Sequence, residues 1–326
     1  MVEGLRDALV AHGHRVAVIA LPYRWHPRKH IMMGALSWRL LDISEADGEP
    51  VDVAICTKWP SYVVKHPRKV TWLVHQFRQA YDWFGTPMSD FTSLPEDVRV
   101  RQLISKMDRR ALSESRKVFT ISQNVANRLS RFNGLEGTPL YPPIRSGLVL
   151  EPGPYGDYVL SLNRLDAAKR VDLLLEALAL APGVRAVIAG TGPQGDALKR
   201  QASRLGIANR VGFAGFVSDA EASRLYAEAR AVYYAPVDED YGYGAIEALA
   251  AARPVITTDD AGGVLEFVED GVTGLVTLPE PAAVARSLQR LAASPEEAAR
   301  LGTTGRERVR AITWDRVIDA LLEAAL

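Results

Sequence analysis

Cysteine is almost missing: the chain holds one, Cys56, in 326 residues. A single thiol closes no internal disulfide, which excludes a disulfide-stapled secreted fold. Its place inside the apolar run 51–57 makes it a small core residue rather than a nucleophile. An excess of one charge is missing too. Lysine plus arginine and aspartate plus glutamate each number 39, so the formal net charge is zero and there is no global electrostatic case for a nucleic-acid partner. No run is apolar for the ~20 residues that a membrane helix needs. Residues 1–20 also lack the basic start and apolar block of a signal peptide. A cytoplasmic setting is expected, with peripheral membrane contact left open. No His/Asp spacing typical of a metal site occurs, so no metal is expected.

What is present is the composition of a globular protein, 48% apolar and 24% charged, at a length that suits two domains. A helix over 1–11 feeds a run at 15–21 that reads as a buried strand. Apolar strand runs follow at 51–57, 69–77 and 117–122, with helical patterns at 34–43, 95–113 and 122–132. Strands alternating with helices predict a parallel sheet covered on both faces. The stretch 78–94 is aromatic and broken by Gly and Pro, and it reads as a functional loop. The Pro/Gly-rich segment 141–156 has neither periodicity and reads as a linker, dividing an N-terminal domain, 1–150, from a C-terminal one, 151–311.

After the linker the alternation restarts. Strands are expected at 158–162, 185–190, 211–216, 230–236 and 254–258. Helices are expected at 169–180, 194–205, 218–229, from Gly244 onward, and briefly from Gly262. Helices at 280–291, 296–309 and 314–326 close the chain. The last carries Val317, Ile318, Leu321, Leu322 and Ala325 on one face, and 312–326 is expected to pack on the first domain.

The most informative stretch is 237–254. An apolar strand gives way to Glu239, then Gly242-Tyr243-Gly244, then an Ala-rich helix bearing Glu247. A helix start approached through glycines offers unpaired N–H groups and a positive dipole end, which suit phosphate. Asn163, Arg164 and Lys169 occupy another strand-to-helix junction, where a guanidinium and an ammonium could clamp a diphosphate. Taken alone, such a basic pair is usually just solvated. Gly190-Thr191-Gly192-Pro193 is a glycine turn too short for a dinucleotide fingerprint. The backbone beside Phe216 is a place where a nucleobase edge could be read.

In this order the second half resembles the retaining glycosyltransferases of family 4, the glycosyl transferases group 1, over about 158–279. The carrying motifs are Arg164 with Lys169, the 190–193 turn, Glu239 and Glu247 around Gly242-Tyr243-Gly244, the 252–256 strand entry, and Gly262-Gly263 followed by 270–275. The resemblance implies an α/β GT-B architecture, two Rossmann-like domains facing a central cleft. It implies metal-independent transfer of a sugar, by a hexosyl- or other glycosyltransferase, with retention of anomeric configuration. The donor would be a nucleotide sugar, UDP ahead of GDP or dTDP, and no other cofactor is called for. The acceptor would be a small molecule, a glycan or a lipid-linked hydroxyl.

By the same resemblance Glu247 holds the ribose hydroxyls and Glu239 contacts the donor sugar. Arg164 and Lys169 stabilise the departing diphosphate with the backbone of Tyr243 and Gly244. Gly242, Asn163, Gly190, Gly192 and Phe216 complete the donor site. His75, after the 70–74 run, is placed near the sugar, against the simpler reading that it only ends a strand. Tyr81, Asp82 and Trp83 are the expected acceptor contacts, since aromatic faces suit sugar C–H surfaces.

Two departures stand out. The family begins with a strand and glycine-rich loop ahead of the helix that starts here near Met1, so the N-terminal domain lacks its first strand. The recorded start is expected to lie downstream of the true one. Arg253 stands where the family usually has glycine. A non-catalytic nucleotide-sugar-binding relative and a nucleotide-sugar epimerase are the alternatives, and the oligomeric state is not legible.

Overall fold

The computed structural model describes residues 1–86, 88–145 and 147–326; Pro87 of the aromatic loop and Ser146 of the linker lie outside the described residues. The chain divides into two compact units, Met1–Pro143 with Ile312–Leu326, and Ile144–Ala311.

In the first unit, helices α1 (Val2–Ala11) and α2 (Lys29–Leu40) precede strands β1 (Ala54–Cys56) and β2 (Lys69–Leu73). Then come α3 (Pro95–Ser113), β3 (Lys117–Thr120), α4 (Gln123–Asn133) and β4 (Thr138–Pro139). The four strands pair in parallel in the order β1-β2-β3-β4. Every residue of β2 is buried, as befits an inner parallel strand. That includes Lys69, whose Nζ donates to the carbonyls of Tyr62, Val64 and Ala111 at 2.8 to 3.1 Å. Pro95 starts α3, with Glu96 and Asp97 in its first turn. Ser122 caps α4 by accepting from the Val125 N–H. The C-terminal helix Trp314–Glu323 belongs to this unit. Trp314 meets the ring of Trp72 edge to face at 6.3 Å, and its own ring leaves no room for a Cβ on Gly4 of α1.

The run 15–21 is not a strand, which corrects the expectation from its apolar pattern. The sheet ends at β1, so the run has no ladder partner, and Val18 and Ile19 lie 53% and 44% exposed. A two-residue antiparallel ladder, Glu45–Ala46 with Glu49–Pro50, was not legible either.

The second unit has six strands: β5 (Tyr158–Leu162), β6 (Arg185–Ala189), β7 (Val211–Gly215), β8 (Ala231–Tyr233), β9 (Val255–Thr258) and β10 (Gly274–Thr277). All pair in parallel in the order β10-β9-β8-β5-β6-β7. That is the doubly wound order, and its reversal of direction lies between β5 and β8. Helices α5 (Val171–Leu180), α6 (Gly195–Arg204), α7 (Asp219–Glu228) and α8 (Tyr243–Ala250) make the crossovers. Helices α9 (Pro281–Ala293) and α10 (Pro295–Val309) follow. α5 is apolar at eight of ten positions, Val171-Asp-Leu-Leu-Leu-Glu-Ala-Leu-Ala-Leu180 being polar only at Asp172 and Glu176, and it packs against α9 in a core with Leu288 and Leu291. β10 was unread because it is short and opens on a glycine. Arg253 is fully buried. Its guanidinium stacks over Tyr155 at 4.0 Å and donates to the carbonyls of Ala229 and Gly153, tying the start of the unit to the end of α7.

Candidate active site

The reversal point of the second sheet gathers the loops that leave β5 and β8. Asn163 N–H donates to Ala189 O, Leu165 N–H to Thr191 O and Gly190 N–H to Gly215 O, so the loops after β5, β6 and β7 are stitched edge to edge. This close approach explains the glycines. Gly190 has φ of +121°, and a Cβ there would lie 1.9 Å from Asn163 O; on Gly192 it would lie 2.3 Å from Leu165 O. The loop after β8 is stitched in turn to that after β5, with Val237 N–H on Ala168 O, and to that after β9, with Glu239 N–H on Ala261 O.

Lys169 ends a short 3-10 turn, Ala167–Lys169, just before α5. Its Nζ is ion-paired and hydrogen-bonded to Glu239 Oε2, and the Tyr234 hydroxyl donates to the same oxygen at 3.3 Å. Burial first, then the Glu239 charge, pushes the Tyr234 phenol well above its usual range, so it stays a donor. Arg164 is exposed, with its Nε 3.6 Å from Asp166. Asn163 Oδ1 and the Tyr243 hydroxyl are buried without a hydrogen-bond partner among the described residues.

Gly242 opens α8 at φ of +101° with no side-chain cap, so the helix presents its first-turn N–H groups without competition from its own cap residue. Tyr234 packs against this turn so closely that a Cβ on Gly244 would come within 2.9 Å of its ring. One turn on, Glu247 is 6% exposed. Its Oε2 accepts from the Tyr226 hydroxyl at 2.9 Å, and Oε1 faces Arg145 Nε at 3.6 Å. Burial raises the Glu247 carboxyl, opposed by these two partners. Phe216, directly after β7, is 82% exposed. Lys169, Glu239, the Gly242-Tyr243-Gly244 turn and Glu247 are therefore neighbours around Tyr234. Sequence reasoning missed Tyr234, Tyr226 and Arg145. Tyr234 falls in the strand run 230–236 and Tyr226 in the helix 218–229, where nothing local marks them, and Arg145 lies in the linker.

The first unit places its candidates after β2 and in the loop that follows. His75 follows β2, half-buried, with Nδ1 2.6 Å from Gln76 O. Tyr81 is turned inward: its hydroxyl donates to the buried Asp108 at 2.6 Å and accepts from Asn133 Nδ2. Asp82 is held by Arg78 at 2.8 Å and Arg128 at 3.4 Å, and the Arg78 guanidinium covers the Trp83 ring at 4.5 Å. The aromatic loop is thus built on internal bonds, and Tyr81 has no face left for an acceptor. Among the described residues no group of three His, Cys, Asp or Glu side chains is placed to hold a metal, and no helix is long and apolar enough to cross a membrane. Cys56 is buried, which pushes its thiol up to about 11 and makes it inert.

The chain is 37% identical over 186 residues to D-inositol 3-phosphate glycosyltransferase of Mycolicibacterium gilvum, a match taking in 55% of this chain and 40% of that protein. The chain thus spans well under two thirds of the curated relatives it matches. Its structure superposes on sucrose-phosphate synthase from Thermosynechococcus elongatus with a TM-score of 0.77 at 21% identity, covering 99% of this chain and 91% of that one. It superposes on Anabaena Alr3699/HepE, solved in complex with UDP and glucose, with a TM-score of 0.70 at 19% identity, covering 98% and 88%. At such identities the likeness shows the fold, which is the GT-B class of two Rossmann-like α/β units. Residues 154–308, the doubly wound unit that carries Lys169, Glu239 and Glu247, match the family model described as glycosyl transferases group 1.

Proposed function

We propose that this chain transfers a sugar from a nucleotide-sugar donor to an acceptor hydroxyl, as a family 4 glycosyltransferase, with retention of anomeric configuration and without a metal. The observation that carries this reading is the grouping of Lys169, Glu239 and Tyr234 beside the uncapped start of α8, with buried Glu247 one turn away. A departing nucleoside diphosphate gains negative charge as the glycosidic bond lengthens. Fixed donors aimed at that charge lower the barrier: the Lys169 ammonium, the exposed Arg164 guanidinium and the N–H groups of Tyr243 and Gly244. The Lys169 ammonium is paired with the Glu239 carboxylate. With donor bound, the ammonium turns to the phosphate and the Glu239 carboxylate to the sugar hydroxyls.

Glu247 accepts the ribose hydroxyls, and exposed Phe216 offers a face and adjacent backbone for the base. Glu239 is already engaged by an ammonium and a phenol, which suits hydrogen bonding to hydroxyls better than nucleophilic attack. The reaction is accordingly written as front-face attack by the acceptor within an ion pair, in which the acceptor O–C1 bond forms on the face the diphosphate leaves. A UDP-sugar is the expected donor. The acceptor class is a small molecule, glycan or lipid-linked hydroxyl. His75 is carried in the same proposal, with His75→Ala expected to lower turnover.

The test is direct. Lys169→Ala should lower kcat by about a hundredfold or more, the scale of one lost transition-state donor. Glu247→Gln should weaken nucleotide binding by about tenfold, the loss of one charge-assisted hydrogen bond. The anomeric form of the product, read by NMR, should match that of the donor. An inverted product, or both variants turning over at the parent rate, overturns the assignment. Conversion of donor without acceptor would replace transfer by epimerisation.

A further inference from the structure

Glu247 is asked to do something that its surroundings oppose. A carboxylate that accepts both hydroxyls of a ribose must be ionised, yet Glu247 is buried on α8, and burial favours the neutral form. Its two oxygens have different partners. Oε2 accepts from the Tyr226 hydroxyl at 2.9 Å, and Tyr226, on α7, is itself fully buried. Oε1 faces Arg145 Nε at 3.6 Å, an ion pair longer than a hydrogen bond. Arg145 is anchored by its Nη1 on Asp219 Oδ1 at 2.6 Å, at the first residue of α7. Asp219 itself adds a negative charge that raises the Glu247 carboxyl, against Tyr226 and Arg145, which lower it. The Tyr243 hydroxyl on the same helix and Tyr234 in the loop after β8 also face Glu247, both phenols raised by burial.

We propose that Tyr226, together with Arg145 anchored on Asp219, positions Glu247: the phenol fixes Oε2, and the guanidinium holds the charge while leaving Oε1 turned to the ligand. This rests on the assignment of Glu247 to the ribose. Both partners stabilise the charged form, and neither is expected to touch the reacting atoms. They differ from a packing role in one respect. A neutral Glu247 carboxyl offers one donor in place of a second acceptor, so nucleotide affinity falls as the pH drops through the value at which Glu247 takes up a proton. Removing the Tyr226 hydroxyl takes away a stabiliser of the anion and moves that fall to higher pH.

The test compares the parent protein with Tyr226→Phe and Arg145→Met by two measurements. Calorimetric UDP binding followed from acid to alkaline pH should show Tyr226→Phe weaker than the parent by up to about tenfold at the acid end, the scale of one lost hydrogen bond to a charged group. It should be close to the parent at the alkaline end, since a carboxyl that has lost a stabiliser of its anion takes up its proton at higher pH. Arg145→Met, a half-exposed position that leaves the core untouched, should shift in the same direction. In ligand-free protein labelled at the glutamate carboxyl carbon, the resonance lost in Glu247→Gln should titrate at higher pH in both variants. Affinity reduced equally at every pH, or an unmoved carboxyl titration, overturns the positioning role and leaves Tyr226 as packing. A parent protein that binds neither UDP nor GDP at any pH overturns the ribose assignment instead, while the carboxyl titration still decides whether Tyr226 and Arg145 control the ionisation of Glu247.

Discussion

A side chain's chemistry is set by where its polar atoms end, and Tyr81 and Glu239 show this from opposite directions. Tyr81 sits in an aromatic, Gly/Pro-broken loop that resembles a sugar-binding surface, but its hydroxyl donates to Asp108 inside the first unit. Replacing it with Phe deletes one of two phenol donors to that carboxylate, the other being Tyr62 at 2.9 Å. We expect Tyr81→Phe to destabilise the first unit by about 1–3 kcal/mol, the usual range for a buried partner left unsatisfied, with the KM for acceptor unchanged. Urea unfolding and initial rates check both halves, and a raised KM with normal stability would restore the acceptor role. Glu239 carries no sign in the sequence of which cation it meets. Its ion pair with Lys169 joins residues 70 positions apart, and only the pairing of β5 with β8 brings them together.

Elements were more legible than residues, because most follow from local pattern. Ser218 and Glu221 form a capping box at the start of α7, and Pro95 and Ser122 mark the starts of α3 and α4, all signals readable within four residues. The strands of the second unit are near-continuous apolar runs, as a sheet buried on both faces requires. Pattern failed where an element depends on a neighbour. The 15–21 run is as apolar as β3 but has no strand to pair with, and β10 is recognisable only through its register with β9. The glycine turns are element-scale devices in the same sense. Gly190→Ala would force a Cβ against Asn163 O at a φ that side chains rarely adopt. We expect it to cost about 1–3 kcal/mol of stability and to weaken nucleotide binding by displacing the β5 loop, measured by thermal unfolding with and without UDP. Unchanged unfolding and binding would show that the loops are not stitched as described.

The two units differ in how their interiors are built. The second is an apolar core of Leu, Val, Ile and Ala around the doubly wound sheet, whereas the first buries a polar network in which Asp108 accepts from Tyr62 and Tyr81. Burial raises the Asp108 carboxyl to about 7, with the two phenols opposing the shift. The folded value lies above the unfolded one, so this group's contribution to stability is fully present below about pH 4, the unfolded value. It is lost as the pH rises through about 7. All six tryptophans lie in the first unit, so their fluorescence reports its unfolding alone. We expect its urea midpoint to fall between about pH 4 and about pH 7, and Asp108→Asn to flatten that dependence. An Asp108→Asn protein with the parent slope would place the titrating group elsewhere.

By itself the sequence determined the alternation of strands and helices, the parallel sheet covered on both faces, and the ordered motifs that match the glycosyl transferases group 1 model over 154–308. These are local or nearly local properties, written as periodicity, caps and turn glycines. The tertiary structure decided which acid meets which base, which carboxylate is buried and which aromatic face is used up internally. Charge state and hydrogen-bond partner depend on burial and on atoms far away along the chain. Glu239 and Glu247 lie seven residues of intervening sequence apart on one loop and helix, yet one is held by Lys169 after β5 and the other by Tyr226 of α7.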